Sequence, residues 1–489
     1  MTIENDNNDI NGRCHLKINH AMVIDGSGEP GKIADVAIES DKIVAIGNLK
    51  NWRADQVIDA SGKVLAPGFI DVHTHDDLAV LKTPDMSFKI SQGVTTVIAG
   101  NCGLSLAPFE SGHGFPPPFP IIGDESDFAF PSVADYRGKL ASAPASVNLA
   151  LLAGHSSIRV SVMGESLQPA ATAEEISLMQ NRLRSALQDG CIGLSTGLDY
   201  PPAQDSPTDE IVSLASVLPE FNNRIYASHM RDEGDRVMEA IEETLTIGRK
   251  ASTPVVISHH KCAGLKNYGR SVETLAAIGA GRQTQSVALD VYPYIASSTT
   301  LLPYYIRDCE KVLIAYSDPY PEMAGRLLNE VAKQWRCSEA EAAEKLYPAG
   351  GIYFQMHEED LQRILSYPPT MIGSDGLPGS GKPHPRLWGT FPRVLGRYVR
   401  EKNLLSLEQA IHKMSGLSAT TFSIKQRGFI RTGYFADLVI FDSETVSDTA
   451  TFEEPEVPAA GIEMVIVNGV PAWENGAHTG ERSGLFISP

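Results

Sequence analysis

The chain has 489 residues, 42% of them hydrophobic and 21% charged, so a large core can form and wholesale disorder is excluded. Its 60 acidic residues outnumber its 41 basic ones, for a formal charge of −19. That excess repels phosphate backbones and anionic headgroups, and argues against nucleic acid or a membrane surface as partner.

The N-terminus, MTIENDNNDING, carries neither the basic nor the apolar region of a secretory signal. No window supplies the roughly 20 apolar residues of a membrane helix. The six cysteines, Cys14, Cys102, Cys191, Cys262, Cys309 and Cys337, form no CxxC pair and are too few for a disulfide framework. A cytoplasmic protein is expected.

The first 65 residues read as short strands and turns: HLKINHAMVIDGSG, ADVAIES and KIVAIGNL, punctuated by Gly, Ser, Asp and Asn. The middle alternates short apolar runs with helical patterns. The runs span 67–75, 95–103, 147–155, 191–200, 224–230, 254–260, 287–294 and 370–375. Helical spacing marks 173–190 and 235–251, and the proline cluster at 111–122 reads as a loop. Near-continuous apolar strands between amphipathic helices predict a parallel sheet covered on both faces, and eight is the number that closes an α/β barrel. Residues 301–366 are too long for one connection and predict an inserted subdomain, either a lid or a passive insertion. The chain ends in strands again, DLVIFD and MVIVNGVPAWENG, where Asn468-Gly469 marks a hairpin turn.

Six of the eight runs end in His, Tyr or Asp, and barrel active sites lie at the C-terminal ends of strands. In His73-Thr74-His75 the two imidazoles stand at i and i+2, on one side of a strand, where they can share a metal. His229 and His259 close the fifth and sixth runs, each after a serine. Imidazole suits zinc, and a catalytic zinc takes three protein ligands and leaves a position for water. His259 and His260 face opposite ways, so only one points inward, and spacing does not choose between them. Asp375 closes the eighth run, either as a general base or as a turn residue. Cys102 is either a soft metal ligand or a buried small hydrophobe. Lys261, Tyr292 and Arg386 could together clamp a carboxylate. His155 and Tyr200 are either substrate-facing or packed. His412, in a helical run, reads as structural, and His15, His20, His113 and His478 carry no signal.

In this order, PGFIDVHTH, GNCG, GHSSIR, STGLDYPP, HMRDEG, SHHKCAGLKNYGRS, DVYPY, IGSDGLP and PHPRLWGTFPRVLG span nearly the whole chain. The set resembles the N-acyl-D-amino acid deacylases, or D-aminoacylases, of the amidohydrolase superfamily. The resemblance implies a (β/α)8 barrel, residues 67–424, flanked by a small β-sandwich from residues 1–66 and 425–489. It implies a tight Zn2+ held by Cys102, His229 and His259, with cysteine in the place of a bridging carboxylated lysine. It puts His73 and His75 at a second, weaker metal position, makes Asp375 the general base and acid, and gives Lys261, Tyr292 and Arg386 the substrate α-carboxylate. The implied activity is hydrolysis of N-acyl-D-amino acids to a free D-amino acid and a carboxylic acid.

Members that prefer D-glutamate place a basic residue after the YPY run. An ungapped register here puts Tyr305 at that position, with Arg307 two residues on, which implies apolar or neutral D-side chains over acidic ones. The alternatives are an N-acyl-D-glutamate-type deacylase, a hydantoinase-like cyclic-amide hydrolase and a non-catalytic scaffold. The cyclic-amide hydrolases need a lysine at the end of the fourth strand, and CIGLSTGLDY has none. A scaffold typically loses the ligands that this chain keeps.

Overall fold

The computed structural model describes residues 12–489 except 111, 113, 307 and 380. His113 and Arg307 therefore lie outside the described residues.

Eight parallel strands pair in chain order: Phe69–Asp71, Val94–Ala99, Asn148–Gly154, Gly193–Gly197, Ile225–His229, Val255–Ile257, Val287–Val291 and Thr370–Ile372. Each overlaps one of the eight apolar runs. Every residue in them is buried, because helices cover the outer face and side chains fill the inner one. The ring closes just beyond the first and eighth strands, where Asp375 N donates to His73 O at 2.8 Å and Thr74 bridges Gly376. Ile70, Ile98, Leu152, Ile225, Val256 and Met371 share one cluster with Phe422 and Ile424, which plug the barrel.

The outer helices form where the spacing predicts them. Ala173–Asp189 opens on a capping box between Thr172 and Glu175 and buries Met179, Leu183, Ala186 and Leu187, the i, i+4, i+7, i+8 stripe. Each buried leucine there contributes roughly 1.5–3 kcal/mol.

Both chain ends build the small sandwich. Arg13–Val23 pairs with Lys32–Glu39 on one edge, and on the other with Arg53–Asp59 and then Val64–Pro67. Leu438–Phe441 pairs antiparallel with Val64–Pro67, which joins the C-terminal strands to the N-terminal ones. Asn468 and Gly469 link Ile462–Val467 to Val470–Glu474 with φ of 48° and 81°, the conformation a two-residue hairpin needs. Between the seventh and eighth barrel strands lies a separate antiparallel sheet of Ala296–Thr300, Ala349–Phe354 and Lys311–Ser317. The helices Leu328–Trp335 and Glu339–Leu346 pack on it. Among the described residues no helix is long and apolar enough to cross a membrane.

Candidate active site

The site stands at the C-terminal ends of the barrel strands, where the backbone turns sharply. Cys102, His259 and Asp375 have φ of 54°, 34° and 50°. Ahead of Cys102 the chain bends at Gly100, φ 76°, where a Cβ would strike the Leu152 carbonyl. Past Asp71 the first strand continues as His73-Thr74-His75, fixed by Thr74 N donating to Ile98 O at 3.1 Å. Both imidazoles reach Asp375 Oδ1, His73 Nε2 at 3.6 Å and His75 Nε2 at 3.3 Å.

Behind them Lys89 is wholly buried. Its Nζ donates to Asp71 Oδ2 at 2.7 Å and Ser374 Oγ at 2.8 Å, and lies 3.3 Å from Asp76. Asp71 Oδ1 accepts from Ser374 N at 2.7 Å. This network locks the two strand ends that carry His73, His75 and Asp375.

Cys102 Sγ lies 3.2 Å from His73 Nε2 and 3.3 Å from His259 Nε2. Donor atoms of His73, Cys102, His259 and Asp375 all fall within 4.8 Å of one another, and so do those of His229, Glu233 and His259. His259 belongs to both groups, and its ring meets that of His229 edge-on at 4.6 Å. Glu233 Oε1 lies 2.9 Å from His259 Nδ1, which leaves Nε2 aimed at Cys102. Asp290 Oδ1 accepts from His259 N at 2.9 Å and lies 3.4 Å from His73 Nδ1. His229 Nδ1 is buried without a hydrogen-bond partner.

Burial alone would raise the Cys102 thiol, but His73 and His259 overcome it and hold the group well below its ordinary value, as a thiolate. The Asp375 carboxyl is likewise held well below its usual range, against burial, by Arg386, His259, His75 and His73. A buried thiolate among imidazoles and a carboxylate is a donor set that suits zinc. His260 turns away: its Nε2 lies 2.9 Å from Thr274 Oγ1, and burial lowers its pKa to about 4.

The three residues singled out as a clamp come together. Arg386 Nη2 is 2.9 Å from Asp375 Oδ2 and donates to Ser298 O at 3.1 Å, while its Nε and Nη1 are buried without partners. Lys261 Nζ lies 2.7 and 2.6 Å from the Glu233 oxygens. Both cations flank the Tyr292 ring, the Arg386 Cζ at 4.4 Å and the Lys261 Nζ at 5.7 Å from its centroid. Burial raises the Tyr292 phenol to about 12, so it stays a neutral donor. A cavity of about 290 Å³ opens here, and His75, His229, His259, Lys261, Tyr292 and Asp375 line it together with Tyr200 and Tyr305. His155 is not part of that wall. It is wholly buried with Nε2 3.6 Å from Glu210 Oε1, which also binds Arg159 Nε at 2.8 Å.

Sequence reasoning passed over four residues. Glu233 sits at i+4 from His229 in HMRDEG, and Asp290 lies in DVYPY; both are acids beside predicted ligands. Lys89 carries no motif. Asp199 in GLDY lines the cavity, where burial pushes its carboxyl up against the pull of His229 and a hydrogen bond from Tyr305.

The amidohydrolase family model matches residues 56–285 and 343–472. The D-aminoacylase of Alcaligenes xylosoxydans xylosoxydans is 50% identical over 95% of this chain and 96% of its own length. The N-acyl-D-aspartate deacylase of the same organism is 46% identical over 100% and 98%. Among solved structures, a D-aminoacylase described as defining a novel subset of amidohydrolases superposes with a TM-score of 0.95 at 48% identity, covering 97% of this chain and 100% of its own. An N-acyl-D-glutamate deacylase of Bordetella bronchiseptica, complexed with zinc and a phosphonate mimic of the tetrahedral intermediate, superposes at 0.94 with 43% identity, over 98% and 100%. The chain belongs to the N-acyl-D-amino acid deacylases of the amidohydrolase superfamily. It is a hydrolase of linear amide bonds.

Proposed function

We propose that this protein hydrolyses N-acyl-D-amino acids in a zinc-dependent reaction, releasing a free D-amino acid and a carboxylic acid. The observation that carries the reading is one cavity lined by His229, His259, Asp375, Lys261 and Tyr292, with the buried Cys102 against His259 and the buried Arg386 against Asp375 and the Tyr292 ring.

Cys102, His229 and His259 would hold the tight zinc, and His73 and His75 a second, weaker one. When bound, zinc polarises the amide carbonyl and acidifies a water. The remaining steps fall to the chain. The unpaired Nε and Nη1 of Arg386, with Lys261 and the Tyr292 hydroxyl, take the substrate α-carboxylate and fix the scissile bond over Asp375. Asp375, ionised in the resting site, takes the attacking water's proton at Oδ1 and returns it to the leaving amine. His73 and His75, at 3.6 and 3.3 Å, hold that oxygen in place. Tyr200 and Tyr305 flank the substrate. His155 would act only through the wall behind Glu210.

Apolar or neutral D-side chains fit this cavity better than acidic ones. Its lysine outside the clamp, Lys266, is already paired with Asp235 at 2.8 Å and Asp308 at 3.0 Å. We assign residues 67–424 to the hydrolase barrel, 1–66 with 425–489 to the flanking unit and about 301–366 to the insertion; three separate sheets support three units, though the insertion's sheet already begins at Ala296. Six free thiols support a cytoplasmic setting.

Asp375→Asn tests the mechanism. The variant should retain bound zinc by elemental analysis and lose roughly 10²- to 10⁴-fold in turnover. Near wild-type activity with the metal in place would overturn the assignment.

A further inference from the structure

The cavity continues past the catalytic groups in two directions. One leads through Ile121, Ser298, Thr299 and Leu377 into a second chamber of about 330 Å³, whose lining includes Leu78, Ile122 and Pro378. Lys82 and Asp127 there compensate one another at 2.7 Å, and Asp124 and Asp318 also belong to its lining. The other direction leads past Tyr200, whose ring lies 4.8 Å from that of His229, to Asp199 and Tyr305. Asp199 is half-buried, and its carboxyl accepts the Tyr305 hydroxyl hydrogen bond. Among the described residues no lysine or arginine forms an ion pair with it, whereas Glu233 has Lys261 and Asp375 has Arg386. Among the described residues, Asp199 and Asp232 are the acids of this wall without an ion pair to lysine or arginine; Asp232 is engaged by the Gly234 and Arg236 backbone N–H groups, which leaves Asp199 the less satisfied of the two.

We infer that Asp199 determines side-chain specificity, and that it selects N-acyl derivatives of basic D-amino acids, whose distal cation pairs with its carboxylate. The inference rests on the deacylase reading above and departs from its side-chain preference, placing basic side chains ahead of apolar or neutral ones. A hydrocarbon acyl group suits the side bounded by Leu78, Ile121, Ile122 and Leu377, where dispersion and desolvation reward apolar contact. The amino-acid side chain then takes the Asp199 direction. There an aliphatic stem lies along Tyr200 and Tyr305 while an ammonium or guanidinium reaches the carboxylate. A second carboxylate on the substrate meets like charge at short range and is disfavoured.

The test compares kcat/KM of the zinc-loaded enzyme on N-acetyl-D-lysine, N-acetyl-D-norleucine, N-acetyl-D-glutamate and N-(6-aminohexanoyl)-D-norleucine. D-lysine should exceed D-norleucine by about tenfold or more, the range of a charge-assisted hydrogen bond. D-glutamate should be the poorest of the four. In Asp199→Asn, the lysine-to-norleucine ratio should fall by about tenfold, and in Asp199→Glu it should return toward wild type. A ratio near one in the wild type overturns the inference even if the variant fails to fold. An unchanged ratio in Asp199→Asn also overturns it. A preference that Asp199→Asn shifts only for the 6-aminohexanoyl substrate overturns the side-chain assignment. Hydrolysis of none of the four would instead bring down the underlying deacylase reading.

Discussion

Cys102, His259 and Asp375 all occupy left-handed backbone positions, where a non-glycine residue costs of order 1–3 kcal/mol. Two of them are held there by backbone hydrogen bonds: His259 N donates to Asp290, and Asp375 N to His73 O. These strained turns lie just past strand ends, and the three side chains converge with His73 so that their donor atoms lie within 4.8 Å of one another. The His259-His260 pair shows the result. His259 joins Cys102, while His260 is stranded in a buried pocket with a pKa of about 4. Burial causes that depression, and its sign fixes a pH dependence. The unfolded imidazole takes up a proton near 6.5 and the folded one only near 4, so acid favours the unfolded chain through that window. Stability should therefore fall as pH drops from 6.5 toward 4, His260 contributing about 3 kcal/mol of the loss. Thermal melts across that range should show a shallower slope for His260→Gln than for wild type. Parallel slopes would show that His260 is not the titrating group.

At the scale of elements, the short helix Ser87–Ile90 matters out of proportion to its length, because Lys89 on it ties Asp71 of the first strand to Ser374 beside the eighth. Removing a buried cation leaves its partner acids uncompensated, which costs roughly 3–5 kcal/mol. Lys89→Met should lower the denaturation midpoint accordingly. It should also weaken turnover in the surviving folded fraction, since His73, His75 and Asp375 lose their common anchor. A melt indistinguishable from wild type would contradict that role.

The strands themselves were legible in the sequence. Each barrel strand is buried on both faces, so it reads as a continuous apolar run that survives without alignment. His73 and His75 were legible because the i, i+2 rule still holds just past the strand. Glu233 was not, since its approach to His259 and Lys261 depends on the path of the loop after His229. Lys89 was not either: a lysine on a four-residue helix reads as solvated until the packed barrel encloses it. Asp199 sat inside a quoted motif, yet its meaning depends on which cations stand near it, and that is a property of the assembled wall.

For the whole molecule, the net charge of −19 and the site's chemistry point in opposite directions. The chain is acidic overall, but Lys261 and Arg386 gather around Tyr292 at the site, each beside an acid, Glu233 or Asp375. That local arrangement is one that overall composition conceals. The two chain ends also needed tertiary structure to be joined. Leu438–Phe441 finds Val64–Pro67 across most of the chain, and Asp437 secures the junction by accepting from Asn468 N at 2.8 Å and Asn148 Nδ2 at 3.1 Å. Patterning reveals such strands but not their partners, since pairing between distant segments leaves no local periodicity. The family resemblance predicted the union, and the sheet order bears it out.

The central claim is stereospecific hydrolysis of an N-acyl-D-amino acid, and paired initial rates on N-acetyl-D- and N-acetyl-L-leucine test it most directly. The zinc-loaded enzyme should favour the D enantiomer by at least about a hundredfold, because inverting Cα with the carboxylate clamped swings the side chain out of its pocket and displaces the amide from Asp375. Equal rates, or a preference for the L enantiomer, would contradict the account.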